Sequence, residues 1–206
     1  MNNDTIVVMT TAACHLPARL TGQDVDATHL TGLGLLIAQP DASGWHFELA
    51  AKVTNVAEGE TPLLAWAAET LPAEGRVVGW RLAEDVIPPL LRAVEEAEPE
   101  LSHRFLQRLY GLLTTPSDDL ALDQGGAAAP PLRQHLLKLQ LVPETPDNAD
   151  IKHAWTNART APVVAQLRAE AVALLHLWSM RSPDRAALRV AMGRWLAQQR
   201  AAGLLP

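Results

Sequence analysis

Residues 76–85 read Arg-Val-Val-Gly-Trp-Arg-Leu-Ala-Glu-Asp. The paired β-branched residues in Arg76–Trp80 predict a short strand. A helix follows from about Glu84, and Pro88-Pro89 fall near its first turns, where a missing N–H costs little. Upstream, Thr5–Thr11 (TIVVMTT) predicts a buried strand, and residues 12–28, with Pro17 and Gly22, read as a loop. Leu30–Gln39 is apolar and stops at the turn cluster Pro40-Asp41-Ala42-Ser43-Gly44. Trp45–Val53 alternates Trp45, Phe47 and Leu49 against His46 and Glu48, so these two runs form a hairpin. Thr61-Pro62 opens a helix with Thr61 as N-cap, and its apolar face is Leu63, Leu64, Ala67 and Leu71. The order β-β-β-α-β-α predicts an α/β domain around a central mixed sheet.

Downstream the chain is helical. Leu101, Phe105, Leu109 and Leu112 put a 3–4 spacing on residues 101–113. Thr114–Pro131 reads as loop, with a short extended piece at Asp119–Leu122, and a short helix covers 131–141. Val142–Asp150, with Pro143 and Pro146, reads as a surface loop. Ala161–Met180 is the longest helix, with Val163, Val164, Leu167, Ala171, Leu174, Leu175 and Trp178 as its inner stripe. Ser182-Pro183-Asp184 caps a last helix to about Ala201, which Gly203 ends. There is no internal repeat or low-complexity tract, so residues 1–206 read as one domain.

The 206 residues are 48% hydrophobic and 19% charged, a globular composition. The lone Cys14 excludes a disulfide framework or a cysteine zinc site and suits a reducing cytoplasm. A net charge of −6 gives no global pull toward phosphate backbones, so a nucleic-acid role needs a local basic patch. Met1–Thr5 has no basic n-region, and no apolar run approaches the roughly 18 residues of a membrane span.

Generic chemical motifs are missing. Gly32-Leu33-Gly34 lacks the third glycine and helix start of a dinucleotide loop, and no phosphate-loop or nucleophile-elbow motif occurs. Glu100…His103 is a single Glu-x-x-His, where a di-iron bundle needs two, and reads as helix surface. His176 sits among apolar residues as a packed or edge histidine. Cys14 and His15 are adjacent on an extended chain and point to opposite faces, which argues against a thiol–imidazole pair. The tryptophans at 45, 66, 80, 155, 178 and 195 are scattered as core or rim residues rather than as a base-stacking platform. Arg159, Arg168, Arg181, Arg185, Arg189, Arg194 and Arg200 make the C-terminal half basic, in the manner of solvated helix faces; a phosphate-binding patch is the other reading.

Read in order, the segments resemble the DEDD 3′–5′ exonucleases of the RNase H-like superfamily, and among them the predicted polymerase-B-like proofreading type. Thr5–Ala12 matches the first strand, which in the family ends in Asp-x-Glu. The hairpin at 30–53 matches strands two and three. Residues 76–85 resemble the second exonuclease motif, Asp119-Leu120 a family Asp-Leu, and 131–143 a helix and turn. Residues 165–181 align without gaps to the helix of the fourth acid. The resemblance implies an RNase H-like fold with a five-stranded sheet, and four acids holding two divalent metals. Here the Asp-x-Glu pair falls on Thr10 and Ala12, the third acid is Asp85, the fourth falls on Ala171, and the tyrosine or histidine base falls on Leu167 or Gln166.

A two-metal site needs carboxylates to offset the repulsion of ions roughly 3.5–4 Å apart. Asp85 alone cannot balance about four positive charges. The position of Ala171 on the apolar stripe predicts packing there, and Glu170, turned about 100° from it, faces away from that stripe. The resemblance therefore implies a domain that has lost catalysis, needs no cofactor, and persists as a single-stranded nucleic-acid-binding or interaction module. Asp85 at a helix start reads as a cap slightly ahead of a remnant of the site, because its partners are missing. Two other readings stand beside this one. One is an active Mg- or Mn-dependent exonuclease using Asp85 with Glu84 or Glu170. The other is a scaffold that docks a protein partner or itself through its helical half.

Overall fold

A computed structural model describes residues 5–16, 27–42, 44–142 and 148–202. Pro17 and Gly22, Ser43, Pro143 and Pro146, and the Gly203 stop signal lie outside these residues. Five strands form one mixed sheet: β1 (Ile6–Leu16), β2 (Ala27–Asp41), β3 (Gly44–Val53), β4 (Arg76–Gly79) and β5 (Asp118–Asp119). Their order is β3-β2-β1-β4-β5. The first three strands form an antiparallel meander, whereas β4 lies parallel to β1 and β5 parallel to β4.

Central β1 is flanked on both sides, so its consecutive residues Ile6, Val7, Val8 and Met9 are all buried. Val7 and Met9 pack with Leu33 and Leu35 against α1 (Thr61–Thr70), α2 (Ile87–Glu95) and α3 (Pro99–Leu113). Ile6 and Val8 pack with Leu36 and Phe47 against α6 (Ala161–Met180) and α7 (Ala186–Ala201). Two shorter helices, α4 (Leu132–Lys138) and α5 (Asn148–Thr156), complete the described residues. None of their helices is long and apolar enough to cross a membrane.

Several local expectations are corrected. The first strand does not stop at Thr11: it continues to Leu16 through an irregularity where Ala12 pairs Gly32 and Ala13 pairs Leu30. The extra residue, Thr31, donates its hydroxyl to the Ala12 carbonyl at 3.0 Å, which satisfies the interrupted ladder. Helix α5 occupies 148–156, so the loop expected to reach Asp150 ends sooner. Thr61 is the first residue of α1 rather than its cap; Glu60 holds the cap position without capping, because its carboxylate turns to the Leu30 N–H and Arg92. Ser182 likewise makes no side-chain cap; a short 3₁₀ turn at Pro183–Arg185 precedes α7.

Gly32 and Gly34 have a packing role. A Cβ on Gly34 would lie 2.5 Å from Thr10 Oγ1 and 3.0 Å from the Leu167 carbonyl, and one on Gly32 would lie 2.9 Å from Leu167 Cδ1. Glycine here lets α6 press on β2, and this close approach fixes one wall of the cleft described next.

Candidate functional site

β4 pairs with β1 only along Ile6–Val8. Beyond Gly79 the chain turns away, leaving the Met9–Ala13 edge of β1 without that neighbour. A cavity of about 660 Å³ opens there, reached by β1, the turn after β4, α2, α4 and α6. Ligand crevices in α/β sheets form at such strand ends.

The turn is tightly specified. Arg81 is left-handed (φ 49°), and Leu82–Val86 form one π-helical turn before α2. Asp119 on β5 holds it: Oδ1 accepts from the Arg81 and Ala121 N–H groups at 2.8 and 2.9 Å, and Oδ2 accepts from the Leu82 N–H at 2.8 Å. Thr11 then donates to the Asp85 carbonyl at 2.8 Å, tying the turn to β1. The Asp85 carboxylate lines the cavity, 44% exposed, with Arg81 Nε 3.5 Å away in an ion pair longer than a good hydrogen bond. Burial pushes its pKa up, Arg81 opposes this, and the charges of Glu84 and Asp119 reinforce it. Asp85 is at neither cap position: Arg81 precedes the π-turn and Val86 precedes α2.

The opposite wall has no charge at the positions of Thr10, Ala12 and Ala171. Thr10 is buried and donates to the Leu167 carbonyl at 3.2 Å, and Ala12 is buried with Cys14, Trp155 and Leu167. Ala171 is 0% exposed within the apolar cluster of Val8, Leu36 and Leu174, as its place on the stripe predicts. Glu170 departs from expectation: it does not face away but lines the same cavity, only 4% exposed. Helix α6 is buried around most of its circumference, so the residue beside the stripe is also covered. Gln166, one turn earlier and 8% exposed, donates Nε2 to Glu170 Oε1 at 2.8 Å. Burial raises the Glu170 carboxyl to about 7, against smaller lowering by Gln166 and Arg133.

Arg81, Arg92 and Arg133 also line the cavity and were not singled out by sequence pattern. Arg92 is committed at both terminal nitrogens, Nη2 to Glu60 and Nη1 to Glu96 at 2.8 Å. Glu60 also lies 3.8 Å from His29, whose ring stacks on Trp155 and whose burial lowers its pKa. Glu60 and His29 lie far from Arg92 along the chain, so no spacing signals them, and only Glu96 stands at helical i,i+4 spacing. The seven C-terminal arginines do not line the cavity. Three of them serve the fold: Arg181 bonds the Leu120 carbonyl and Asp123, Arg185 lies over the Trp178 ring, and Arg189 bonds the Ser179 and Ser182 carbonyls.

Glu84, Asp85 and Glu170 share the cavity, yet among the described residues no group of three His, Cys, Asp or Glu could hold a metal ion. The residues present therefore do not fit a carboxylate-held metal pair. Cys14 is buried, with its thiol pushed up to about 11 mainly by burial, and His15 is exposed, so no thiol–imidazole pair forms. The exposed His103 and half-buried His176 stand outside the cavity. Trp80 alone of the six tryptophans lines it, its ring tilted 31° against His135. No protein-family model matches the chain, and no curated protein matches it.

Proposed function

We propose that the chain is an RNase H-like domain of the 3′–5′ exonuclease type that has lost catalysis and binds the end of a single-stranded nucleic acid without metal. The antiparallel β1–β3 meander, with β4 entering parallel beside β1, supports the fold. The observation that carries the function is a cleft lined by Arg81, Arg92 and Arg133, in which Thr10 and Ala12 stand uncharged and the acids are Glu84, Asp85 and the buried Glu170. Guanidinium groups bind phosphate oxygens directly and bidentately, a task divalent ions perform in a metal-loaded site.

The test is fluorescence anisotropy of a labelled single-stranded oligonucleotide across a salt series, alongside an exonuclease assay with Mg²⁺ or Mn²⁺. Binding that weakens steadily with salt, with no release of mononucleotides, is expected. Release of mononucleotides that Asp85→Ala abolishes would overturn the loss of catalysis. No binding at low salt would overturn the nucleic-acid reading and favour a docking scaffold. The displaced-ligand reading needs Glu84, Asp85 and Glu170 to close on an ion; the three line one cavity but form no group that could hold one. Calorimetry showing no Mn²⁺ binding at millimolar concentration would remove it.

A further inference from the structure

Helix α3 carries two seams at helical spacing. Leu101, Phe105, Leu109 and Leu112 are buried in the core shared with β1 and β2. A second set, Pro99, His103, Leu106, Tyr110 and Leu113, is exposed along its whole length, Tyr110 to 73%. Its steps of four, three, four and three residues are the heptad spacing of helices that pack in pairs. The seam runs for about 21 Å. Four of the nine large hydrophobics exposed among the described residues, Leu91, Leu106, Tyr110 and Leu113, lie on α2 and α3. Where the two helices meet, Ser102 donates its hydroxyl to the Val94 carbonyl at 2.9 Å. Leu91 stands one turn before Val94 and Leu106 one turn after Ser102, which carries the patch toward α2.

Charge distinguishes the occupants. Glu95 ends α2, and Glu98 and Glu100 flank Pro99; all three are exposed and form no ion pair, and Glu100 is not bridged to Arg104 one turn on. The seam is therefore acidic at one end. A second copy packed antiparallel about Leu106 would set Glu98 and Glu100 against Leu113, Thr114 and Thr115, which carry no cation. Arg104 and Arg108 each lie about 160° around the helix from Leu106 and would point away from that contact. A nucleic-acid strand would be repelled by the same glutamates, and leucine side chains offer bases no ring to stack on. A helix with its own apolar seam and cations at one end answers both features.

We propose that the exposed seam of α3 docks a basic amphipathic helix of another protein. Its apolar side chains lie on Leu106, Tyr110 and Leu113, and its lysines or arginines face Glu95, Glu98 and Glu100. No residue of the seam lines the cleft, so the surface is separate from the nucleic-acid site proposed above and does not rest on it.

The experiment uses the full chain and two labelled two-heptad peptides with leucine at the seam positions. One carries lysine at the flanking positions and the other glutamate. In fluorescence anisotropy the lysine peptide is expected to bind at least roughly tenfold more tightly than the glutamate peptide. Replacing Glu95, Glu98 and Glu100 together by Gln is expected to erase that preference. Replacing the exposed Glu48, Glu69 and Glu74 by Gln makes the same change in net charge and is expected to leave it in place. Leu106→Asp and Tyr110→Ser, at exposed positions that spare the core, are expected to weaken the lysine peptide at least roughly tenfold, with circular dichroism unchanged. No binding of the lysine peptide, equal binding of the two peptides, or equal losses in the two triple variants would overturn the proposal. A dimer of the chain alone that Leu106→Asp abolishes would assign the seam to a second copy instead. Competition between the lysine peptide and a single-stranded oligonucleotide that Tyr110→Ser relieves would assign it to nucleic acid. Failure of the peptide arm with salt-dependent oligonucleotide binding intact leaves the cleft reading standing.

Discussion

The two walls of the cleft are built differently. On the β4 side a carboxylate on β5 gathers three backbone N–H groups and holds a left-handed residue and a π-turn, so Asp85 stands half exposed at the cavity. On the α6 side Gly34, Thr10 and Leu167 press together, Ala171 is sealed, and the polar groups that remain, Gln166 and Glu170, are paired and buried. One wall is polar through backbone geometry and tolerates charge. The other is close-packed and pushes its one acid toward neutrality. A metal pair needs acids from both walls, and the packed wall has room for none at positions 10 and 171.

The sharpest way to break this contrast is to place an acid in the packed wall. Thr10→Asp exchanges a donor for a carboxylate facing the Leu167 carbonyl, and a loss of about 4 kcal/mol is expected in urea denaturation. A variant as stable as the parent would show that this wall opens.

The next largest effect runs the other way. The Glu170 carboxyl titrates at about 7 in the folded chain against 4.5 when unfolded, so the folded state keeps a proton that the unfolded chain has already lost. Its contribution is therefore most favourable below about pH 4.5 and falls as pH rises to about 7, by about 3 kcal/mol in all. Glu170→Gln is expected to remove that slope and raise stability at pH 8 by up to this amount. Parallel pH–stability curves for variant and parent would contradict the burial argument.

Asp119→Ala tests the polar wall. Three N–H groups lose their acceptor, for a loss of about 2 kcal/mol, with faster amide exchange at Arg81, Leu82 and Ala121. Unchanged exchange at these amides would mean the turn holds without Asp119. The smallest change is expected for Asp85→Ala, below about 1 kcal/mol, because the Arg81 pair is solvent-screened. Oligonucleotide affinity should rise in this variant as a negative charge leaves the cleft; a marked drop would show that Asp85 itself contacts the strand.

Sequence pattern was sufficient wherever neighbours along the chain settle the outcome. The apolar run at 6–9 marks a strand buried on both faces, the alternation of Trp45, Phe47 and Leu49 marks a strand with one face covered, and the long stripe of 161–180 marks a helix against the sheet. The stripe also puts Ala171 in the core, whereas Thr10, Ala12 and Asp85 come to one cavity edge only through tertiary packing. The short-range signals failed at caps, where Thr61 and Ser182 do not cap: Glu60 holds the position before α1 with its carboxylate turned to a distant partner, and a 3₁₀ turn precedes α7.

The packing of the chain decided the rest. Thr10 meets Leu167 across 157 residues, and Asp119 meets Arg81 across 38. No local propensity carries such contacts, since they exist only after β2 and α6 have come together and β4 has stopped short of β1. The direction of Glu170 is of the same kind. A helical wheel turns it off the apolar stripe, and only a helix enclosed on most sides turns it into a cavity, where desolvation sets its proton affinity and Gln166 sets its orientation.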